Sequence, residues 1–115
     1  MILTLLVIRS DDPNGLADFY TMLGLAFEYH RHGKGPYHYS AHLGPTLFEI
    51  YPLGKGQEKA DNFLRLGLAL DSFDTTIHNL HQRSVLFHQD PTETEWGIMA
   101  IVEDPEGRKV ELYKK

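Results

Sequence analysis

The chain opens on an apolar run that stops at Arg9-Ser10-Asp11-Asp12, which predicts a strand over residues 2–8. Asp11 or Asp12 can cap a following helix whose first turn accepts Pro13. Leu16, Phe19, Tyr20 and Leu23 then fall at i, i+3, i+4 and i+7, forming one apolar helix face, and Gly24 ends it. Residues 25–32 read as a strand broken by Gly33-Lys34-Gly35-Pro36. Residues 37–43 and 46–51 read as a hairpin about Gly44-Pro45, with glycine in the first central place of a type II′ turn.

After the polar stretch PLGKGQEKADN, which begins at Pro52, the pattern restarts. It predicts a strand over 63–70, a turn over 71–74 and a helix over 75–83 carrying Ile77 and Leu80. A short strand over 85–88, a loop over 89–95, a strand over 97–102, a turn over 104–107 and a last strand over 108–114 complete it. Each half is βαβββ, so the expectation is a single α+β domain of two repeated modules, 1–53 and 63–115, joined by a linker at 54–62. Phe48-Glu49-Ile50-Tyr51 and Val110-Glu111-Leu112-Tyr113 lie 62 positions apart (110 − 48), and the same offset carries Leu6-Val7-Ile8 onto Leu68-Ala69-Leu70.

Each repeat places one glutamate inside an apolar strand. Side chains alternate along a strand, so Glu49 shares a face with Leu47 and Tyr51, and Glu111 with Lys109 and Tyr113. Phe48, Ile50, Val110 and Leu112 take the opposite faces, which suit the helices. A two-residue turn at Gly44-Pro45 pairs Ser40 with Glu49 and His42 with Leu47, and sets His38 opposite Tyr51. His38, Ser40 and His42 are therefore expected on the Glu49 face, and Tyr39 and Ala41 on the helix face. A slip of one residue would reverse this division. If the modules curl, the glutamate side is a cavity; if they do not, it is a solvated sheet face.

Composition narrows the function. A chain of 115 residues with 42% hydrophobic content can bury a core. The net charge of −5 without a basic block argues against nucleic-acid binding. No cysteine is present, which removes disulfides, thiolate metal sites and thiol nucleophiles. No apolar stretch reaches membrane-spanning length, and the first strand lacks the features of a signal peptide, so a soluble cytoplasmic protein is expected.

The opening strand with LADFYTMLG (Leu16–Gly24), Phe48-Glu49-Ile50-Tyr51, Thr94-Glu95-Trp96-Gly97 and DPEGRKVEL (Asp104–Leu112) together resemble the vicinal oxygen chelate superfamily. That superfamily includes glyoxalase I, bleomycin-resistance proteins and extradiol dioxygenases. The resemblance covers nearly the whole chain. It implies two βαβββ modules in a curved mixed sheet with helices on the convex side, a small-molecule ligand on the concave side, and a homodimer.

The resemblance also implies where a divalent metal would be held: by the first and fourth strands of each module, at Leu5, Glu49, Gly67 and Glu111. Two of these four positions carry a donor and two do not. Glu49 and Glu111 are thus candidate metal ligands in an incomplete set, since such sites normally take three or four protein ligands. His38 and His42 are candidates to complete it, but histidines four apart on a strand have Cα atoms about 13 Å apart, too far for both to reach one ion. Arg9 matches a first-strand arginine that contacts a substrate carboxylate in glyoxalase I-like members, against the alternative of pairing with Asp11 or Asp12. Trp96 is a candidate stacking ring or an edge contact. Tyr51 and Tyr113 are candidate pocket walls.

Three functions follow. The first is a metal-independent small-molecule binder of the bleomycin-resistance type, needing no cofactor. Its candidate ligand-binding residues are Leu5, Arg9, His38, His42, Tyr51, Gly67, Trp96 and Tyr113, with Glu49 and Glu111 meeting a cationic or hydrogen-bonding ligand. The second is a lyase or isomerase using Glu49 and Glu111 as catalytic acid and base, their pKa values raised by burial. The third is a metal-dependent enzyme of the glyoxalase I or dioxygenase kind. A dioxygenase site usually needs two histidines and a carboxylate, which the matched positions do not supply.

Overall fold

A computed structural model describes residues 1–115, with elements in the order β1 (Leu5–Ser10), α1 (Pro13–Met22), β2 (Glu28–His30), β3 (His38–Leu43), β4 (Thr46–Pro52), β5 (Leu66–Leu70), α2 (Phe73–Gln82), β6 (Phe87–Thr94), β7 (Gly97–Glu103) and β8 (Lys109–Lys114). Each half is βαβββ and builds a mixed four-stranded sheet, β1-β4-β3-β2 in the first and β5-β8-β7-β6 in the second. The chain falls into two compact units, 1–21 with 25–61, and 22–24 with 62–115.

In the first unit β1 runs parallel to β4, which forms an antiparallel hairpin with β3. The hairpin register is the one the turn dictates: Leu43 faces Thr46, His42 faces Leu47, and Ser40 faces Glu49. Gly44 supplies the φ of +58° that opens the turn. Asp12 caps α1, its Oδ1 accepting from the Gly15 N–H at 3.2 Å. The helix buries Leu16, Ala17, Phe19 and Tyr20. The Tyr20 ring meets that of Phe48 edge-on at 5.1 Å, which fixes Phe48 and Ile50 as the helix-side face of β4.

In the second unit α2 packs against β8 and buries Phe73, Thr76, Ile77 and Leu80. Val110 and Leu112 point into that core, while Glu111 and Tyr113 alternate to the other face.

Several boundaries differ from the sequence pattern, the strand ends because a partner strand decides. Residues 2–4 are not in β1, and Ile2 and Leu3 are exposed: β4 begins at Thr46, and the ladder ends where Leu47 N–H donates to the Thr4 carbonyl. β2 covers three residues of the expected 25–32, all that pair with β3. Residues 63–65 precede β5 without joining it, and Phe63 is 92% exposed. Helix α2 starts at Phe73, two residues before the expected start, with Phe73 anchoring the first turn in the core.

The expected loop at 89–95 falls almost wholly within the edge strand β6. Pro91 is tolerated because the register shifts between Gln89 and Thr92, and an edge strand at a bulge can spare one donor. The parallel pairs also differ from a strict 62-residue repeat. Leu6 pairs with Phe48 but Leu66 with Val110, so the first strands correspond at 60 (66 − 6) and the fourth strands at 62 (110 − 48). A shift of two leaves the faces unchanged.

Candidate functional site

The two glutamates stand in different surroundings, each set by its own module. On β4, Glu49 is 6% exposed and accepts a short hydrogen bond from Ser40 Oγ across the hairpin. Ser40 Oγ also lies 3.1 Å from His30 Nε2. His38 Nε2 approaches Glu49 Oε2 at 3.3 Å, without the in-plane geometry of a hydrogen bond. The His38 ring lies flat on Tyr51, centroids 4.2 Å apart and planes within 7°. The Arg9 guanidinium sits 5.1 Å above the other aromatic, Tyr51, and donates to the Pro52 carbonyl at 3.0 Å.

Packing brings His30 and His32 to the same place. β2 pairs with β3 so that His30 faces His38, and the turn closed by Gly35 N–H on the His32 carbonyl folds His32 back. The three imidazole centroids are 4.7–5.2 Å apart. One donor atom from each of His30, His32, His38 and Glu49 lies within 4.8 Å of the others. Sequence reasoning left His30 and His32 without a role. The signal was there: histidines at 30 and 32 alternate onto one strand face, ahead of a glycine-proline break and His38.

On β8, Glu111 is held by two donors. Arg65 Nε donates to Oε2 at 2.6 Å and the Tyr113 hydroxyl to Oε1 at 2.5 Å. The expectation of a raised pKa is overturned here. The Tyr113 hydrogen bond, joined by the Arg65 hydrogen bond and charge, outweighs desolvation and holds the Glu111 carboxyl below the usual carboxylate value. The same hydrogen bond pushes the Tyr113 phenol up. The sign is that of a depressed carboxyl: its stabilisation is present above the unfolded-state pKa and is lost as pH falls through the lower folded value. Tyr113→Phe is expected to return the Glu111 pKa toward the ordinary range, read by carboxyl carbon NMR during an acid titration; an unmoved Glu111 would mean that Arg65 alone sets it.

The other candidates disperse. Leu5 is 49% exposed and lies opposite Leu47, while the residue opposite Glu49 is Val7. Gly67 lies opposite Glu111, and a Cβ there would sit 3.6 Å from the Tyr113 ring. His42 is exposed on the hairpin and stands outside the histidine cluster. Trp96 is 75% exposed at the turn between β6 and β7. The family's metal positions therefore carry two carboxylates and two side chains without donors, and Glu111 is already engaged by a cation. That set does not fit a transition-metal ion.

Each unit also has a surface cleft. The first, about 360 Å³, is walled by Asp11, Asp12, Tyr29, Tyr37 and Tyr39. The second, about 320 Å³, is walled by Phe73, Ile77, Pro91 and Ile98. Neither is lined by Glu49 or Glu111. No helix is long and apolar enough to cross a membrane.

The family model described as Glyoxalase/Bleomycin resistance protein/Dioxygenase superfamily matches residues 2–112. No curated protein matches the sequence significantly. Among solved structures, TnmS3, an antibiotic binding protein from Streptomyces sp. CB03234, is similar at 22% identity with a TM-score of 0.78, covering 99% of this chain and 95% of that one. A glyoxalase/bleomycin resistance protein from the same organism has 22% identity and a TM-score of 0.74 over 97% of this chain and 99% of that one. TioX from Micromonospora sp. ML1 has 14% identity and a TM-score of 0.73, covering 97% of each chain. At these identities the likeness is one of fold.

Proposed function

This chain belongs to the Glyoxalase/Bleomycin resistance protein/Dioxygenase superfamily, and from that membership we propose that it is a small-molecule-binding protein whose ligand recognition does not use the family's metal ion. The observation that carries the reading is the loss of donors at the family's ligand positions, Leu5 and Gly67, together with the engagement of Glu111 by Arg65 and Tyr113. A carboxylate held ionised by two donors is suited to recognising charge and hydrogen-bond donors. It is poorly suited to abstracting a proton, because a lowered pKa makes a weaker base. The antibiotic-binding description of one structural neighbour supports the same class of ligand.

The ligand is a cationic or donor-rich small molecule. Glu111 and Tyr113 of the second unit supply the charged and aromatic contacts. By family resemblance the protein works in the cytoplasm as a homodimer, which sedimentation velocity would test.

A thermal-shift screen of amino-sugar and glycopeptide antibiotics, 2-oxo acids and thiohemiacetals tests the function. A cationic antibiotic is expected to stabilise the fold in a concentration-dependent way, by about 2.7 kcal/mol at a hundredfold excess over Kd. Glu111→Gln or Tyr113→Ala should weaken binding about tenfold, near 1.4 kcal/mol. Turnover of a 2-oxo acid or thiohemiacetal, abolished by Glu49→Gln, would instead establish the lyase or isomerase reading.

A further inference from the structure

We propose that the N-terminal unit carries a site for a borderline divalent transition-metal ion, with zinc(II) as its representative, formed by His30, His32, His38 and Glu49. The set shares only Glu49 with the family's ligand positions and takes its imidazoles from β2, the β2–β3 connection and β3. It goes beyond the proposed small-molecule function and does not depend on it.

The first observation is convergence. The four donor atoms lie within 4.8 Å of one another. A tetrahedral zinc site, with bonds of about 2.0–2.1 Å, needs donors roughly 3.3 Å apart. Closure thus calls for shifts on the order of an ångström or two. His32 can supply the largest of them: it is exposed and sits beside Gly33 in the turn, with φ of +57° at that glycine.

The second observation is an orphaned lone pair. His38 is 1% exposed, and its Nδ1 lies 3.2 Å from the Pro36 carbonyl, which can only accept. Nδ1 therefore carries the proton, and Nε2 presents a lone pair. That lone pair has no hydrogen-bond partner and faces a carboxylate oxygen 3.3 Å away. Two buried acceptors confronting each other lack a cation between them. A proton could join that one pair, but it would leave His30 and His32 converging on the same point without cause.

The surroundings fit a metal's outer shell. The Pro36 carbonyl fixes the His38 tautomer, Tyr51 walls its ring, and Ser40 donates to Glu49. Ser40 spends its proton on Glu49, so His30 Nε2–H donates to Ser40 in the metal-free state. On loading, the His30 proton moves to Nδ1, where the Glu28 carboxylate lies 4.0 Å away, and Nε2 turns to the ion. Three imidazoles and a carboxylate select zinc, cobalt or nickel over magnesium or calcium, which prefer all-oxygen ligands.

Calorimetric titration of chelator-stripped protein, free of any histidine tag, with zinc chloride tests this. Saturable uptake of one ion per chain is expected. His32→Ala, at an exposed position, and Glu49→Gln, which keeps the shape, should each weaken it at least tenfold. His78→Ala, exposed on α2, should leave it unchanged. Cobalt(II) should give the visible bands of a four-coordinate ion in the wild type, lost in both site variants. Absence of saturable uptake, or uptake indifferent to His32→Ala and Glu49→Gln, overturns the proposal.

Discussion

Arg108→Ala is expected to destabilise the protein by about 3–5 kcal/mol, because it strands a buried carboxylate. Arg108 and Asp104 are 1% and 3% exposed, and Nη1 reaches Asp104 Oδ2 at 3.3 Å. Asp104 also organises the turn between β7 and β8. Its Oδ1 accepts from the Glu106 and Arg108 N–H groups at 2.8 and 3.0 Å, and its carbonyl accepts from Gly107 N–H at 2.9 Å. Removing the guanidinium leaves this carboxylate in place with its counter-charge gone. Urea unfolding reads the effect as a lowered midpoint with unchanged slope. The double variant Asp104→Asn/Arg108→Met should recover part of the loss, since the amide oxygen still serves the turn and no charge stays buried. A single variant within about 0.5 kcal/mol of wild type would show that Asp104 is adequately solvated without its partner.

This turn also explains what the DPEGRKVEL stretch contributes. Its Asp, Gly and Arg are fold residues. The aspartate is a turn cap, Gly107 takes a φ of +89°, and the arginine neutralises the cap from inside. Glu111, with Lys109, takes the strand face opposite the helix. A motif that looks like a site can thus be mostly a hairpin.

The modular plan was legible because local rules carry it. The i, i+3, i+4, i+7 face of α1 and the Gly44-Pro45 turn each determine structure within a few residues. The β3–β4 register followed from loop length alone, which is why Ser40 could be set against Glu49 in advance. Strand ends were less legible, since Ile2, Leu3 and Phe63 are apolar yet lie outside the strand ladders. The loop expected at 89–95 is a strand because the bulge that accommodates Pro91 is a property of two strands. The histidine cluster was legible only in part, for a related reason. The β2–β3 connection has no two-residue turn to fix its register, so the meeting of His30 with His38 depends on tertiary packing. Likewise the engagement of Glu111 hinges on Arg65, which lies outside β5 and 46 residues away in sequence.

Phe48→Ala is expected to cost about 3–5 kcal/mol, while Leu47→Ala next to it should cost about 1 kcal/mol or less. The contrast follows from strand alternation. Phe48 is 1% exposed, with ring contacts to Tyr20 at 5.1 Å and Phe27 at 6.2 Å, so truncation removes the centre of an aromatic cluster and leaves a cavity that the helix and sheet can only partly close. Leu47 is half-buried on the other face, opposite the exposed Leu5 and His42. Because native domains hold only about 5–15 kcal/mol in reserve, the Phe48 loss should be visible as a large drop in Tm. The pair tests the face assignment on which the site rests: Glu49 shares its face with Leu47, so a large loss at Leu47 and a small one at Phe48 would put Glu49 against the helix and dissolve the histidine–carboxylate cluster. Equal losses at both positions would mean that β4 is buried on both faces.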